Sequence, residues 1–356
     1  MFSILTFKLF LFFILSCVIS FLLLPIIIES VKLRELYDRI SNRNPSDLIV
    51  PGFGGLPIFI STIISLSFFF HFSYSKIDAI FLIPSCLLLF FTGVKDDITG
   101  ISPRNKLLLQ IISTLFILQY PEFQITNFHG FLGIDEISLW ISCPLSFLFI
   151  IFLINAYNLI DGIDGLAGGL AILFFAFFAF IYFITKEYHM TAVCLSLMGS
   201  FVAFLFFNLS SKKRIFMGDT GSLFVGFLLA AFAINILSKN LIQNIDIAYI
   251  SNFPLLIISV LYIPIFDTLR VIIIRLKNGA GISTSDRRHI HHFITDELRL
   301  KHYQATLVII SINSIIFILM VVLANILNNL MFIVCLIIPA AILSLTINIL
   351  KRKNKN

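Results

Sequence analysis

The chain has 356 residues, of which 59% are apolar and 12% charged, and its formal net charge is +6. Soluble domains carry roughly 25% charged residues, so this chain has too few charges to cover a globular domain with a water-facing surface. The composition excludes an ordinary soluble protein and predicts an all-α, polytopic membrane protein with membrane lipids around it and no nucleic-acid partner.

Eleven apolar runs approach or exceed the roughly 20 residues that a helix needs to cross a bilayer. The first is too long for a signal-peptide core, so we predict a retained first span within one membrane domain over residues 1–356. The run at 106–120 is the weakest of the eleven. In chain order the predicted spans are 4–28, 51–71, 78–94, 106–120, 138–154, 166–184, 190–207, 222–238, 253–275, 304–324 and 329–350.

Lysine and arginine predict the orientation of these spans. With the basic tail at 351–356 placed in the cytoplasm, 21 of the 25 Lys and Arg residues fall on that side. Positive residues are enriched in cytoplasmic loops. The sequence therefore predicts an external N-terminus and a cytoplasmic C-terminus.

Polar residues that lie beside spans are candidates for function, because charges near hydrocarbon are costly. The first such group is Asp96 and Asp97, directly after the third span. Adjacent carboxylates repel each other, and a cation such as Mg²⁺ would relieve the repulsion. A solvated loop with ordinary charges is the alternative interpretation.

A second group follows the fifth span, where a polar residue recurs at every third position: Asn155, Asn158, Asp161 and Asp164. In a helix this spacing places neighbouring members on one face. The glycines that follow favour a broken helix whose backbone approaches a ligand. An Asn/Asp-rich turn between two spans is the alternative.

The third group, Met217–Ser222, is a glycine-containing turn before an apolar run. A helix start offers backbone N–H groups and a positive dipole end, which suit a phosphate. Asp219 in this position suits a metal ion that bridges to the same phosphate. The preceding Lys212, Lys213 and Arg214 are interpreted as an ordinary positive flank.

The fourth group places three histidines beside arginines at 285–292. Three histidines in four residues are compatible with zinc, but neighbouring arginines favour an anion, because Arg and protonated His both bind phosphate oxygens. A basic loop without a catalytic role is a third alternative. Upstream, Asp267 and Arg270 are predicted to form a structural ion pair.

Together these motifs resemble those of the polyprenyl-phosphate N-acetylhexosamine-1-phosphate transferases, glycosyltransferase family 4. They appear in the family's order across nearly the whole chain: Asp96-Asp97, Asn155-x-x-Asn158-x-x-Asp161-Gly-x-Asp164-Gly-Leu, Met217-Gly-Asp219-Thr-Gly-Ser222 and Asp286-Arg-x-His289-x-His291-His292. The last motif is similar to that of the bacterial undecaprenyl-phosphate GlcNAc-1-phosphate transferase branch, whereas the peptidoglycan branch usually has three consecutive histidines. The first loop departs from the family's frequent Arg-Lys-x-His and reads Arg43-Asn44-Pro45-Ser46, which leaves the exact sugar nucleotide open.

The resemblance implies that a polyprenyl phosphate attacks the sugar-bearing phosphorus of a UDP-N-acetylhexosamine and releases UMP at the cytoplasmic face of a bacterial plasma membrane. It also implies Mg²⁺, or Mn²⁺, as cofactor and a homodimer as a common assembly. The roles implied by analogy are metal binding for Asp219 and Asn158, catalysis for Asp96, Asp97 and Asp161, and substrate binding for Asn155, Asp164, Arg288, His289, His291 and His292.

Two rival functions remain at this stage. A phospho-MurNAc-pentapeptide transferase of peptidoglycan synthesis would share the fold and most motifs. A membrane transporter would also have many spans with a few acidic residues. Transporter sites lie near the bilayer midplane, whereas these carboxylates lie at span ends, which favours the enzyme.

Overall fold

The computed structural model describes residues 2–33, 50–68, 78–239, 252–279 and 288–353. The first-loop departure at 43–46 and Asp286 of the histidine motif lie outside these ranges. The helices are α1 Phe2–Leu33, α2 Gly55–Phe68, α3 Asp78–Thr99, α4 Pro103–Ile117, α5 Leu139–Ile160, α6 Leu166–Ile184, α7 Tyr188–Asn208, α8 Gly218–Ser238, α9 Phe253–Val260, α10 Tyr262–Lys277, α11 Ile290–Asp296, α12 His302–Leu323 and α13 Asn329–Lys353.

Every predicted span coincides with a helix or with a pair of helices. Within the described ranges, seven helices are long and apolar enough to cross a membrane, or eight if the bent pair α9 and α10 forms one span. Helix α2 is apolar but shorter, and α4 has only 15 residues. The chain is thus a multi-pass helical membrane protein, while the total of eleven spans stays a prediction.

Helix α8 is the centre of the bundle. It is buried along its whole length and packs against α2, α3, α5 and α6, while α1 and α6 pack on α7. The outer helices instead present large apolar side chains outward, such as Phe7, Leu148, Leu319 and Ile337. Soluble proteins rarely expose such extended apolar surface, so these faces are suited to lipid.

The ninth predicted span is broken at Leu261, where α9 and α10 meet at 80°. A break frees backbone polar groups, which need new partners at membrane depth. The buried Asn313 of α12 supplies both: its side-chain oxygen accepts from the N–H of Ile263 at 3.0 Å, and its amide donates to the carbonyl of Val260 at 2.9 Å. Asn313 therefore stabilises the bend.

A short antiparallel hairpin, β1 Asn127–Phe131 and β2 Ile134–Glu136, departs from the all-α prediction. The His129 ring bonds to the carbonyl of Leu237 at 2.8 Å, near the C-terminal end of α8. Since α8 has 21 residues, this end lies about 30 Å from its N-terminus. The hairpin and the polar motifs are thus at opposite ends of α8.

Candidate active site

The N-terminus of α8 is anchored to the end of α3. Gly218 has φ +71°, and a Cβ there would lie 1.7 Å from the carbonyl oxygen of Gly52, so only glycine fits this turn. The Asp97 carboxylate accepts from the backbone N–H of Asp219 at 2.9 Å and of Thr220 at 2.8 Å, and also from the Thr220 hydroxyl. Asp97 therefore caps α8 from a neighbouring helix.

This cap corrects one sequence-based expectation. The first N–H groups of α8 were expected to bind a phosphate, but those of Asp219 and Thr220 donate to Asp97 instead. Burial raises the pKa of Asp97 to about 7, against the opposing hydrogen bonds from Thr220. Asp97 is thus shown as a structural acceptor, and its predicted catalytic role stays a prediction.

A charged cluster lies beside the capped turn. Lys106, in the first turns of α4, contacts Asp96 at 2.9 Å and forms a close ion pair with Asp219. The second oxygen of Asp96 accepts the backbone N–H of Ile101 at 2.7 Å. One ammonium group therefore joins a carboxylate from α3 to a carboxylate from α8. Sequence reasoning counted Lys106 only toward the orientation.

Asn158 joins the same cluster from α5. Its amide NH₂ donates to the Asp219 carboxylate and, at 2.7 Å, to the Ser222 hydroxyl. The predicted pair Asp219 and Asn158 is therefore in direct contact. A rotation of the Asn158 amide by 180° would present its oxygen instead of its nitrogen.

The residues of this cluster suit a magnesium ion that is completed by substrate. Among the described residues, no group of three or more His, Cys, Asp or Glu side chains could hold a metal ion alone. Mg²⁺ is commonly bound by one or two carboxylates together with water and substrate phosphates. Asp219, Asp96 and the Asn158 oxygen offer such a set, and the ammonium of Lys106 neutralises one of the two negative charges of the carboxylates.

Asn155 is occupied by a different contact. Its amide donates to the side-chain oxygen of Gln110 at 2.9 Å and receives a bond from the Gln110 amide at 3.3 Å. It also donates to the carbonyl of Ile151. Gln110 is fully buried, at 1% exposure. The pair links α5 to α4, and so positions Lys106 of α4 opposite Asn158 of α5.

Asp161 and Asp164 follow the end of α5 but differ in environment. Asp161 is the C-cap of α5 and is half-buried, and its backbone N–H donates to the carbonyl of Asn158. Asp164 is buried and forms an ion pair with Arg214, while its second partner is the His302 ring at 2.8 Å. Arg214 therefore does more than flank a span, which corrects the earlier interpretation of that basic stretch.

The histidine segment approaches the loop after α5. A Cβ on Gly162 would lie 2.2 Å from Nε2 of His291, so this contact requires glycine. Burial, and then the charge of His292, lowers the pKa of His291 to about 3. The lowered pKa favours the neutral ring of His291 at ordinary pH. Its buried Nε2 has no hydrogen-bond partner among the described residues.

His289 and Arg288 are held from α10. Asp267 and Arg270 form the predicted ion pair at 2.9 Å, which the structure confirms. Asp267 also contacts Nδ1 of His289 at 2.9 Å, and Arg270 donates to the carbonyl of Arg288. The rings of His289 and His291 are parallel, with centroids 5.8 Å apart. The three histidines are neighbours, but they do not form a zinc-like group within the described chain.

The predicted residues thus form two groups at one end of the bundle. In the first group Lys106 contacts Asp96 and Asp219, and Asn158 contacts Asp219. In the second group Gly162 contacts the histidine segment and Asp164 contacts α12. Several contact partners of the predicted residues were not expected from the sequence. For Lys106 the sequence did contain an indication, because a lysine at the edge of an apolar run is costly. The missed partners are Lys106, Gln110, Ser222, Arg214 and His302.

Comparisons with known proteins show which family the chain is similar to. The family model described as glycosyl transferase family 4 matches residues 79–237, which include three of the four motifs. A Bacillus subtilis protein named "Probable undecaprenyl-phosphate N-acetylglucosaminyl 1-phosphate transferase" is 31% identical over 88% of this chain and 84% of its own length.

Two further relatives have related names. A decaprenyl-phosphate N-acetylglucosaminephosphotransferase of Mycobacterium leprae is 33% identical over 30% of this chain and 27% of its own. A phospho-N-acetylmuramoyl-pentapeptide-transferase of Staphylococcus haemolyticus is 31% identical over 64% of this chain and 76% of its own.

Proposed function

Because the chain belongs to glycosyl transferase family 4, we propose that it transfers N-acetylhexosamine-1-phosphate from a UDP-sugar to a polyprenyl phosphate and releases UMP. The expected sugar is GlcNAc, as in the name of the Bacillus subtilis relative, whose match covers most of both chains. The reaction would be the first membrane step of cell-envelope polysaccharide synthesis. The observation that carries the proposal is the cluster in which Asp219 contacts both Lys106 and Asn158, while Lys106 also contacts Asp96.

The physical problem of this reaction is to bring one phosphate anion to another. A phosphate monoester has its second pKa near 6, so the lipid nucleophile is already mostly dianionic and needs little help from a general base. Lys106 supplies a positive charge between two carboxylates and is well placed to attract a phosphate oxygen. Asp96 and Asp97 would lie beside the attacking lipid phosphate, with Asp161 beside the nucleotide-sugar.

We further propose a Mg²⁺ ion held by Asp219 with Asn158 and completed by diphosphate oxygens. When bound, such an ion neutralises the diphosphate and stabilises the leaving UMP. Mn²⁺ would suit the same oxygen ligands. The ammonium of Lys106 shares Asp219 with this ion, so binding of the ion would shift Lys106 toward Asp96 or toward substrate.

The second group of residues suits the nucleotide-sugar. His291 lies against Gly162 in the loop of Asp161 and Asp164, and Arg288, His289 and His292 are its neighbours in the chain. Arg214 adds a further positive charge at Asp164. Arginine and histidine donors suit phosphate oxygens, and a neutral His291 can still bond to a sugar hydroxyl.

Orientation and assembly complete the proposal. We propose that the site lies on the cytoplasmic face of a bacterial plasma membrane, in a chain with eleven spans, an external N-terminus and a cytoplasmic C-terminus. The distribution of Lys and Arg supports this orientation. A soluble, charged UDP-sugar is available on that side, and the lipid phosphate lies at the same interface. A homodimer is the expected assembly.

The decisive experiment incubates membranes that contain this chain with Mg²⁺, polyprenyl phosphate and a panel of labelled UDP-sugars. We expect UMP release together with label in the lipid phase, strongest for UDP-GlcNAc. UDP-MurNAc-pentapeptide is included, because transfer from it alone would favour the peptidoglycan reaction. If no donor transfers label, the proposed function is wrong.

A companion variant tests the metal role. Asp219→Ala should abolish transfer, while the protein still inserts in the membrane and is recovered in normal amounts. Undiminished transfer would remove Asp219 from the metal site. Ser238→Ala serves as control, because this hydroxyl lies at the opposite end of α8 and bonds there to the carbonyl of Glu122.

A further inference from the structure

A buried carboxylate on α10 contacts three consecutive residues of the histidine segment, directly or through one arginine. Asp267 is 2% exposed and accepts from His289 Nδ1 at 2.9 Å and from the backbone N–H of Ile290 at 3.0 Å. Its neighbour Arg270, paired with it at 2.9 Å, donates to the carbonyl of Arg288. Residues 288, 289 and 290 are thereby tied to one turn of α10.

The contacts of Asp267 also determine which ring nitrogen of His289 carries the proton and where α11 begins. An ionised carboxylate can only accept hydrogen bonds, so Nδ1 of His289 must carry the proton in its bond to Asp267. The other ring nitrogen, Nε2, is then the atom left to meet a ligand. His289 also has extended backbone as the N-cap of α11, and the N–H that Asp267 accepts belongs to the first residue of that helix. One side chain thus orients a ring and fixes the start of a helix.

Helix α11 carries the contact with the loop after α5. His291 lies in its first turn, parallel to His289 and against Gly162. Thr295 of the same helix bonds back to the carbonyls of His291 and His292, which ties the two turns of the short helix together. A shift of its start would move His291 away from Gly162.

From this geometry we propose that Asp267 is a positioning residue for nucleotide-sugar binding. It holds His289 in the tautomer with Nδ1–H and sets α11 against the loop of Gly162. The assignment of the ligand as a nucleotide-sugar rests on the proposed function, whereas the tautomer of His289 does not. Since Asp267 is buried behind the histidine, it acts through that residue.

The test is Asp267→Asn, which keeps the size of the side chain but allows either tautomer of His289, because an amide can both accept and donate. We expect the KM for the UDP-sugar to rise about tenfold, the lower end of the loss seen when the hydrogen-bond partner of a metal-binding histidine is removed. The KM for polyprenyl phosphate should stay unchanged. Asp267→Glu should recover part of the donor affinity.

Thr268→Val is the matched control. Thr268 is the next residue on α10, is buried to a similar degree, and its hydroxyl has no hydrogen-bond partner in the described chain. This variant should keep the KM values of wild type. If Asp267 had only a structural role, Asp267→Asn would have a lower yield or melting temperature but an unchanged KM for the UDP-sugar, and this result would overturn the inference.

A spectroscopic readout does not depend on activity. In ¹⁵N-histidine-labelled protein in detergent, with the signal assigned through His289→Gln, wild type should show His289 with the proton on Nδ1. Asp267→Asn should show a mixture of tautomers. The inference is wrong if the two proteins share one tautomer. If wild type transfers no sugar phosphate, the proposed function fails, but this spectrum still decides the role of Asp267.

Discussion

Replacing Lys106 by methionine tests the charged cluster most directly. The substitution keeps a long side chain but leaves the carboxylates of Asp96 and Asp219 facing each other without the ammonium that both now contact. Two unit charges about 4 Å apart repel by about 4 kcal/mol at an effective dielectric constant near 20. The two carboxylates are 15% and 24% exposed, so water screens part of their repulsion. We therefore expect the free energy of unfolding to fall by about 2 kcal/mol.

A cost of about 2 kcal/mol corresponds to a lower melting temperature by a few degrees in a chain of this size. If the same charge stabilises a phosphate in the transition state, transfer should also slow by about 30-fold, because 1.36 kcal/mol is tenfold in rate. Added Mg²⁺ should restore more stability to Lys106→Met than to wild type, because a dication can replace the missing ammonium between the carboxylates.

The assay follows thermal unfolding of the purified protein in detergent across a Mg²⁺ titration, together with label transfer to polyprenyl phosphate. Lys106→Arg retains the charge and should fall between wild type and Lys106→Met. Lys95→Met is the control, because Lys95 is an exposed cation on α3 next to the same motif. Equal melting temperatures and rates for Lys106→Met and wild type at every Mg²⁺ concentration would refute this reasoning.

Three further predictions concern the cap and the histidine segment. Asp97→Asn should lower stability by about 1–3 kcal/mol, seen as a lower melting temperature, because an NH₂ group would face the N–H donors of α8; an unchanged melting temperature would contradict the cap. Gly162→Ala should raise the KM for the UDP-sugar, since the new methyl group must displace His291; an unaltered KM would separate His291 from the donor. Because the pKa of His291 is lowered in the folded state to about 3, the unfolded chain binds more protons between pH 6.5 and 3, so stability should fall as pH falls through that window. His291→Gln should flatten this part of the melting profile, and identical profiles would contradict the burial of a neutral ring.

The sequence was sufficient for the helices, and the family resemblance implied the association of Asp219 with Asn158. Apolar runs predict spans because each helix must satisfy its own backbone in lipid, and a spacing of three residues places polar groups on one face. The sequence was not sufficient for contacts between distant segments. Lys106 with Asp219, and Arg214 with Asp164, depend on how helices pack, and the small hairpin at 127–136 has no signal in an apolar pattern.

The role of Asp97 shows why motif and geometry can differ. Two aspartates that are adjacent in the sequence suggest two carboxylates with the same role. On helix α3 their side chains point in different directions, since neighbouring residues on a helix do not face each other. Asp96 reaches Lys106, whereas Asp97 reaches the backbone of α8. The pair therefore separates into a charge partner and a helix cap.

The bend between α9 and α10 also connects the two sides of the proposed donor pocket. Asn313, which holds the bend, and Thr306, which bonds to the Asp164 carbonyl at 2.6 Å, are seven residues apart on α12, about two turns along one stripe. Through the bend, that stripe holds α10 and hence the histidine segment; through Thr306, it holds the loop of Asp164. Helix α12 contributes no residue to the four motifs, yet it contacts both sides of the proposed pocket. A change of its tilt within the bilayer would therefore move both sides together and change the width of the pocket.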